Sequence, residues 1–164
     1  LRNCLIADNF VDGLYSGANG GGGYFRSGCI TLDNCTIATN IHSGVGAFNA
    51  PIILNNCIVY GNGDDLYDRT VNCVTLNSVL LTPGETGYLA TSTNVINDNP
   101  QFRNAANGDF RLSETSPAKD KGVLLNWMTQ GAIDLAGLPR VINSLPDLGC
   151  FEVQHPSGTV VVIW

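Results

Sequence analysis

One nine-residue pattern recurs along the first third of the chain and restricts its fold more than any other feature. Leu1-Arg2-Asn3-Cys4-Leu5-Ile6-Ala7-Asp8-Asn9, Leu32-Asp33-Asn34-Cys35-Thr36-Ile37-Ala38-Thr39-Asn40 and Leu54-Asn55-Asn56-Cys57-Ile58-Val59-Tyr60-Gly61-Asn62 share L-x-N-C-x-[IV]-x-x-N. The copies start 31 and then 22 residues apart, and the longer interval holds the glycine-rich stretch 13–23, which reads as a protruding loop. A looser fourth copy, Thr75-Leu76-Asn77-Ser78-Val79-Leu80, follows about one period later, with Ser standing where Cys stood. Each copy is too short to bury its own apolar face, so the copies must stack on one another.

Alternation along the copies points Ile30, Leu32, Cys35 and Ile37 inward, and likewise Ile52, Leu54, Cys57 and Val59. Asn3, Asn34 and Asn56 then mark a bend, because asparagine tolerates left-handed backbone angles and its amide can hydrogen-bond from coil to coil. The pattern predicts an all-β fold, a right-handed parallel β-helix (a pectate-lyase-like solenoid) with coils ~4.8 Å apart. About four to five coils fill residues 1–102, a C-terminal region over 103–153 caps the last coil, and 154–164 form a tail. An α/β fold is excluded because no segment before residue 100 offers an amphipathic helix. A leucine-rich horseshoe would need more leucine per copy.

Composition narrows the partners. Charged residues are 13% of the 164 and the formal net charge is −6, which speaks against a nucleic-acid grip or an anionic-membrane patch. No apolar run approaches the ~20 residues of a membrane span, and no charged start with an apolar run marks a signal peptide. The six cysteines divide into two sets. Cys4, Cys35 and Cys57 share one repeat position, so they predict a column of inward, unbridged thiols. Cys29, Cys73 and Cys150 lie outside the column, and the sequence leaves their pairing open. With no C-x-x-C, and with His42 and His155 isolated, no zinc site is indicated.

After Asn97 the rhythm gives way to compact motifs: Asn99-Pro100-Gln101-Phe102, Gly108-Asp109-Phe110-Arg111-Leu112, Ser116-Pro117-Ala118-Lys119-Asp120-Lys121-Gly122, Asp134-Leu135-Ala136-Gly137-Leu138-Pro139-Arg140 and Asp147-Leu148-Gly149-Cys150-Phe151-Glu152. This series resembles the closing region of bacterial secreted β-helix proteins of the choice-of-anchor Q kind. Gly20-Gly21-Gly22-Gly23-Tyr24-Phe25 leading into the second copy is similar to the repeats of polymorphic outer-membrane proteins. The resemblance spans roughly residues 1–153 and departs at Asn99, usually Asp, and at Lys119, commonly aliphatic. It implies a secreted or cell-surface bacterial protein, and that family carries no shared catalytic set. In such a cap, Phe102, Phe110, Leu112, Trp127, Leu135 and Phe151 would cover the end of the stack. Arg111 and Arg140, set among Asp109, Asp120, Asp134, Asp147 and Glu152, would tie its loops together.

The densest chemical cluster is Asp64-Asp65-Leu66-Tyr67-Asp68-Arg69. Its three aspartates could take calcium, and Tyr67 and Arg69 could face a sugar acid, but the run also reads as an ordinary turn between coils, and that reading has precedence. Asp8, Asp12 and Tyr15 flank the glycine-rich loop, which would place Tyr24 and Phe25 where sugars could stack on them. No catalytic residue is assigned. The expected function is a non-catalytic surface or secreted scaffold that binds polysaccharide or cell-surface glycan or mediates adhesion along its long face, without nucleic acid. The alternative is the C-terminal part of a polysaccharide lyase or glycoside hydrolase with its active site on the β-helix face. Leu1 already sits at an inward position, so the N-terminal edge is expected to be open to end-to-end self-association.

Overall fold

The computed structural model describes residues 1–10, 21–25, 28–47, 50–68, 74–85 and 89–154. The chain is all-β, with strands β1 (Leu5–Ala7), β2 (Gly23–Phe25), β3 (Ile30–Asp33), β4 (Thr36–Ala38), β5 (Ser43–Ala47), β6 (Ile52–Tyr60), β7 (Asp64–Asp68), β8 (Val74–Leu81), β9 (Leu89–Asn97), β10 (Phe102–Asn104) and β11 (Asp109–Leu112). A 3₁₀ turn, Ala105–Asn107, joins the last two. The larger sheet is parallel in the order β1-β4-β6-β8-β9, with β3 also beside β6. A second parallel sheet has the order β2-β5-β7, and β10 pairs antiparallel with β11. Among the described residues no helix is long and apolar enough to cross a membrane.

Registry follows the repeat. Leu32 lies opposite Leu54, and Leu54 opposite Leu76, while Cys57 faces Val79 and Val79 faces Val95. This corrects the alignment of the fourth copy: Ser78 takes the bend position of Asn56, and Val79, not Ser78, replaces the cysteine. Asn3, Asn34, Asn56, Ser78 and Asn94 all turn the chain in the left-handed region, at φ of 47°, 48°, 52°, 54° and 52°. Four of the five are asparagine, the residue type that meets this conformation with least strain after glycine.

The inward side chains of both sheets form one core. Leu32, Ile37, Ile52, Leu54, Val59, Leu76 and Leu81 are buried there with Val45 and Leu66 of the second sheet. Each such side chain contributes roughly 1.5–3 kcal/mol by leaving water. Glycine lets the two sheets approach: a Cβ on Gly22 would sit 2.7 Å from Ile37 Cγ2, and one on Gly44 2.8 Å from Val59 Cγ1. Cys4, Cys35 and Cys57 stand unbridged in the column, Cys35 and Cys57 fully buried, and Val79 ends it. Cys29 is free and exposed, Cys150 free and buried, and Cys73 falls outside the described residues.

The C-terminal segment departs from the expected end cap and runs along the flank of the larger sheet. Outward residues Ile58 and Leu80 are buried against Leu112, Ala118, Leu148 and Val153, with Ile96 partly buried beside them. Hydrogen bonds tie the segment to successive repeat copies. Asn3 Nδ2 donates to the Ile133 carbonyl (2.7 Å), Asn34 Nδ2 to that of Asp147 (3.2 Å), and Asn56 exchanges two 2.8 Å bonds with the Val123 backbone. The bend amides therefore face this segment more than one another; the Asn56–Asn34 contact is 3.4 Å. The physical reason lies in the side chains needing cover. The outward Ile58, Leu80 and Ile96 are apolar, whereas the last strand of the sheet, β9, places Ser92 and Asn97 opposite the core residues Leu76 and Leu81. A polar last strand needs less covering than an apolar flank. Of the residues expected over the end, Phe110 and Leu112 are buried on this flank and Leu135 is 45% exposed. Arg111 pairs with Asp109 of its own strand, at 2.6 Å on the exposed surface, so it ties no loops together.

Candidate functional site

The outward face of the first half of each repeat copy is where polar groups collect. Asp33, Asn55, Asn77 and Thr93 occupy one register row across β3, β6, β8 and β9. Their side chains form a continuous ladder. Arg2 Nε donates to Asp33 Oδ2 (3.3 Å), Asn55 Nδ2 to Asp33 Oδ1 (2.8 Å), Asn77 Nδ2 to Asn55 Oδ1 (2.9 Å) and the Thr93 hydroxyl to Asn77 Oδ1 (3.2 Å). Each ladder amide spends one N–H and one lone pair on its neighbours, leaving one of each for an outside partner. Beside this row run Thr31, Ile53, Thr75 and Thr91. Thr31, Thr91 and Thr93 are exposed, and Ile53, Asn55, Thr75 and Asn77 half-buried. Arg2 bridges to Asp33 at one end of the row, and the four steps from Arg2 to Thr93 give a length of ~19 Å. Exposed Val123 and Leu124 border it at the Asn56 bend, and at the β1 end Arg2 lies 5.5 Å above the Trp127 ring.

The acidic cluster singled out in the sequence behaves differently. Residues 64–68 are strand β7 rather than a turn. Asp64 is exposed and Tyr67 half-buried, but Asp65 is wholly buried, which removes it as a glycan or calcium contact. It terminates a second ladder, absent from the candidate residues read from the sequence. Asn9 Nδ2 donates to Asn40 Oδ1 (2.8 Å), Asn40 Nδ2 to Asn62 Oδ1 (2.8 Å) and Asn62 Nδ2 to Asp65 Oδ1 (3.0 Å). Asp65 Oδ2 also accepts the Thr82 backbone N–H at 2.7 Å. The available signal was the last Asn of the repeat, present in all three copies. Burial raises the Asp65 carboxyl above its ordinary value, against the pull of its N–H donors. Tyr24, Gly46 and Tyr67 share one register row of the second sheet, and Phe25, Ala47 and Asp68 the next. Arg69, Asp12 and Tyr15 fall outside the described residues, and Asp8 accepts the Thr39 hydroxyl at 2.6 Å. Among the described residues no three His, Cys, Asp or Glu side chains converge as a metal cage.

These placements separate the two neighbouring aspartates. Asp65→Ala strands the Asn62 and Thr82 donors and is expected to lower stability by about 2–4 kcal/mol, while Asp64→Asn stays within about 0.5 kcal/mol of the parent. Urea denaturation of both variants measures the contrast.

Arg140, Asp134, Asp147 and Glu152 form a buried hub inside the flanking segment. Arg140 has no exposed surface; its Nη2 donates to the Asp147 carbonyl (2.7 Å) and pairs with Glu152 Oε2 (3.1 Å). Asp134 accepts the backbone N–H groups of Ala136, Leu138 and Glu152, and Asp147 those of Asp120 and Val153. Burial pushes Glu152 up to about 8 and raises Asp147. With Arg140 inaccessible, the hub's geometry suits holding loops rather than meeting a ligand. On the open face, Arg2 and Asp33 are bonded to each other, and the rest of the ladder is neutral amide and hydroxyl. Such a set can bind oxygen-rich ligands; acid–base chemistry would need a proton-transfer group held free to act.

No family model matches the chain, and no curated protein or solved structure shows significant similarity to it.

Proposed function

We propose that the chain is part of a bacterial secreted or cell-surface right-handed parallel β-helix protein of the choice-of-anchor Q kind, and that it binds glycan without cleaving it. The parallel register of the repeat copies and the shared left-handed bend support the solenoid. The observation that carries the function is the Arg2–Asp33–Asn55–Asn77–Thr93 ladder, in which Asp33 is buried, Asn55 and Asn77 are half-buried and Thr93 is exposed. Its donors and acceptors recur with the coil spacing, which suits a linear polymer that presents hydroxyls at regular intervals. A net charge of −6 and a ladder of neutral amides favour a neutral polysaccharide over a uronate.

Retention on immobilised neutral and acidic polysaccharides, with and without calcium, tests this. Thr75→Arg, which blocks the middle of the face, is expected to weaken binding about tenfold or more, equivalent to about 1.4 kcal/mol. Asp64→Asn is expected to change it less than about twofold. Undiminished binding by Thr75→Arg would displace the site. Unsaturated or reducing-end products that vanish in an Asp64→Asn or Arg69→Ala variant would make the chain part of an enzyme.

A further inference from the structure

Three thiols in line in the core have no part in the glycan reading. Cys4, Cys35 and Cys57 stand at one register position: Arg2 bridges to Asp33 and Leu5 pairs with Thr36, while Asp33 pairs with Asn55 and Thr36 with Ile58. Their orientation repeats as well. Each Sγ donates to the carbonyl two residues before it, Cys4 to Arg2 (3.1 Å), Cys35 to Asp33 (3.4 Å) and Cys57 to Asn55 (3.3 Å). Successive sulfurs are therefore separated by about one strand spacing, ~4.8 Å. Cys35 and Cys57 are fully buried, and Cys4 is half-buried.

That spacing selects a chemistry. A disulfide bond is only ~2.05 Å long, so thiols held this far apart and pointing the same way do not bridge directly. A thiolate bond to a soft or borderline metal ion such as zinc is ~2.3 Å, and two of them in line span ~4.6 Å. One ion between two stacked sulfurs thus fits with little movement of either strand. Zinc itself takes four ligands, whereas these sulfurs lie in a line and do not converge as a cage. Thiolate ligands select copper(I), which accepts two of them in line. Charge then decides the protons. Copper(I) on two thiolates would leave a negative charge in the apolar core, while one thiolate and one thiol leave none. Binding exchanges one ion for one proton: Cu⁺ meets two Cys S–H groups, one S–H bond breaks, two S–Cu bonds form and one H⁺ leaves to solvent.

We propose that the Cys4–Cys35 pair is a linear copper(I) site, entered from the half-buried Cys4. It lies inside the core and is independent of the glycan face. Anaerobic titration of the reduced chain with copper(I) supplied in acetonitrile tests it, read by competition with a chromophoric copper(I) chelator and by copper X-ray absorption. One equivalent with two sulfur neighbours is expected. Loss of an outer-shell partner already costs metal affinity about 10–100-fold, so losing a ligand, in Cys4→Val or Cys35→Val, is expected to cost at least about a hundredfold. Valine holds the same column position at Val79 and Val95, and Cys35→Ala serves where the urea midpoint shows that Cys35→Val does not fold. Cys57→Val and Cys29→Ser are expected to bind as the parent does. Undiminished binding by the folded Cys35 variant would overturn the proposal. So would loss of binding in Cys29→Ser, or three or more sulfur neighbours around the copper.

Discussion

Replacing Arg140 with methionine is expected to destabilise the protein by about 3 kcal/mol or more at pH 8. Removing Arg140 takes the buried cation away from Asp134, Asp147 and Glu152 together and strands the Asp147 carbonyl, and breaking one side of such a buried charge cluster costs about 3–5 kcal/mol. Arg140 has no exposed surface and is the cation facing Glu152, Asp147 and Asp134, with its Nε and Nη1 finding no partner among the described residues. Those two unmatched donors make removal of the whole pair less damaging than removal of one member. Arg140→Met with Glu152→Gln, which keeps an acceptor for the Asp147 N–H, is therefore expected to recover at least half of the loss. Urea denaturation of the two single variants and the double variant gives the coupling; strict additivity would show that the pair is not one unit.

Stability is expected to fall as pH rises from about 5 to about 8. Burial raises Glu152 from its ordinary 4.5 to about 8, ahead of the opposing pull of Arg140. The folded state thus holds this proton more tightly than the unfolded chain, so below about pH 4.5 both states carry it and no penalty arises. Through the interval between the two values the unfolded chain releases the proton first, and folding loses about 1.4 kcal/mol per pH unit at most, a few kcal/mol in all. Asp65 and Asp147, both raised by burial, add the same sign at lower pH. Glu152→Gln is expected to flatten most of the slope, read as the urea midpoint at pH 5 and pH 8. A midpoint that rises with pH in the parent would contradict the assignment.

Much of the parallel sheet was legible because its rule is local. Leu, Cys and Ile or Val at fixed offsets state which side chains point inward, and an asparagine between them states where the chain bends. The fourth copy was misaligned by one place because its bend residue is serine, so the landmark was lost while the apolar alternation continued through Val79. The flanking course of residues 98–154 was not legible. It depends on which outward positions are apolar from copy to copy, Ile58, Leu80 and Ile96, and no single copy reveals that stripe. Asp64 and Asp65 read alike in sequence, yet one is exposed and the other caps the Asn9–Asn40–Asn62 ladder. The open ladder was equally hidden, since Arg2, Asp33, Asn55, Asn77 and Thr93 share a row without sharing a residue type.

The face bearing this ladder is the proposed glycan-binding surface, and side-chain amide resonances test that proposal most directly. In an NMR titration with neutral oligosaccharides, the account predicts saturable shifts at the Asn55 and Asn77 side-chain amides and the Thr75 and Thr93 methyls, with Asp64 and Tyr67 unmoved. Saturable shifts centred on Asp64 and Tyr67, with the ladder amides silent, would contradict it.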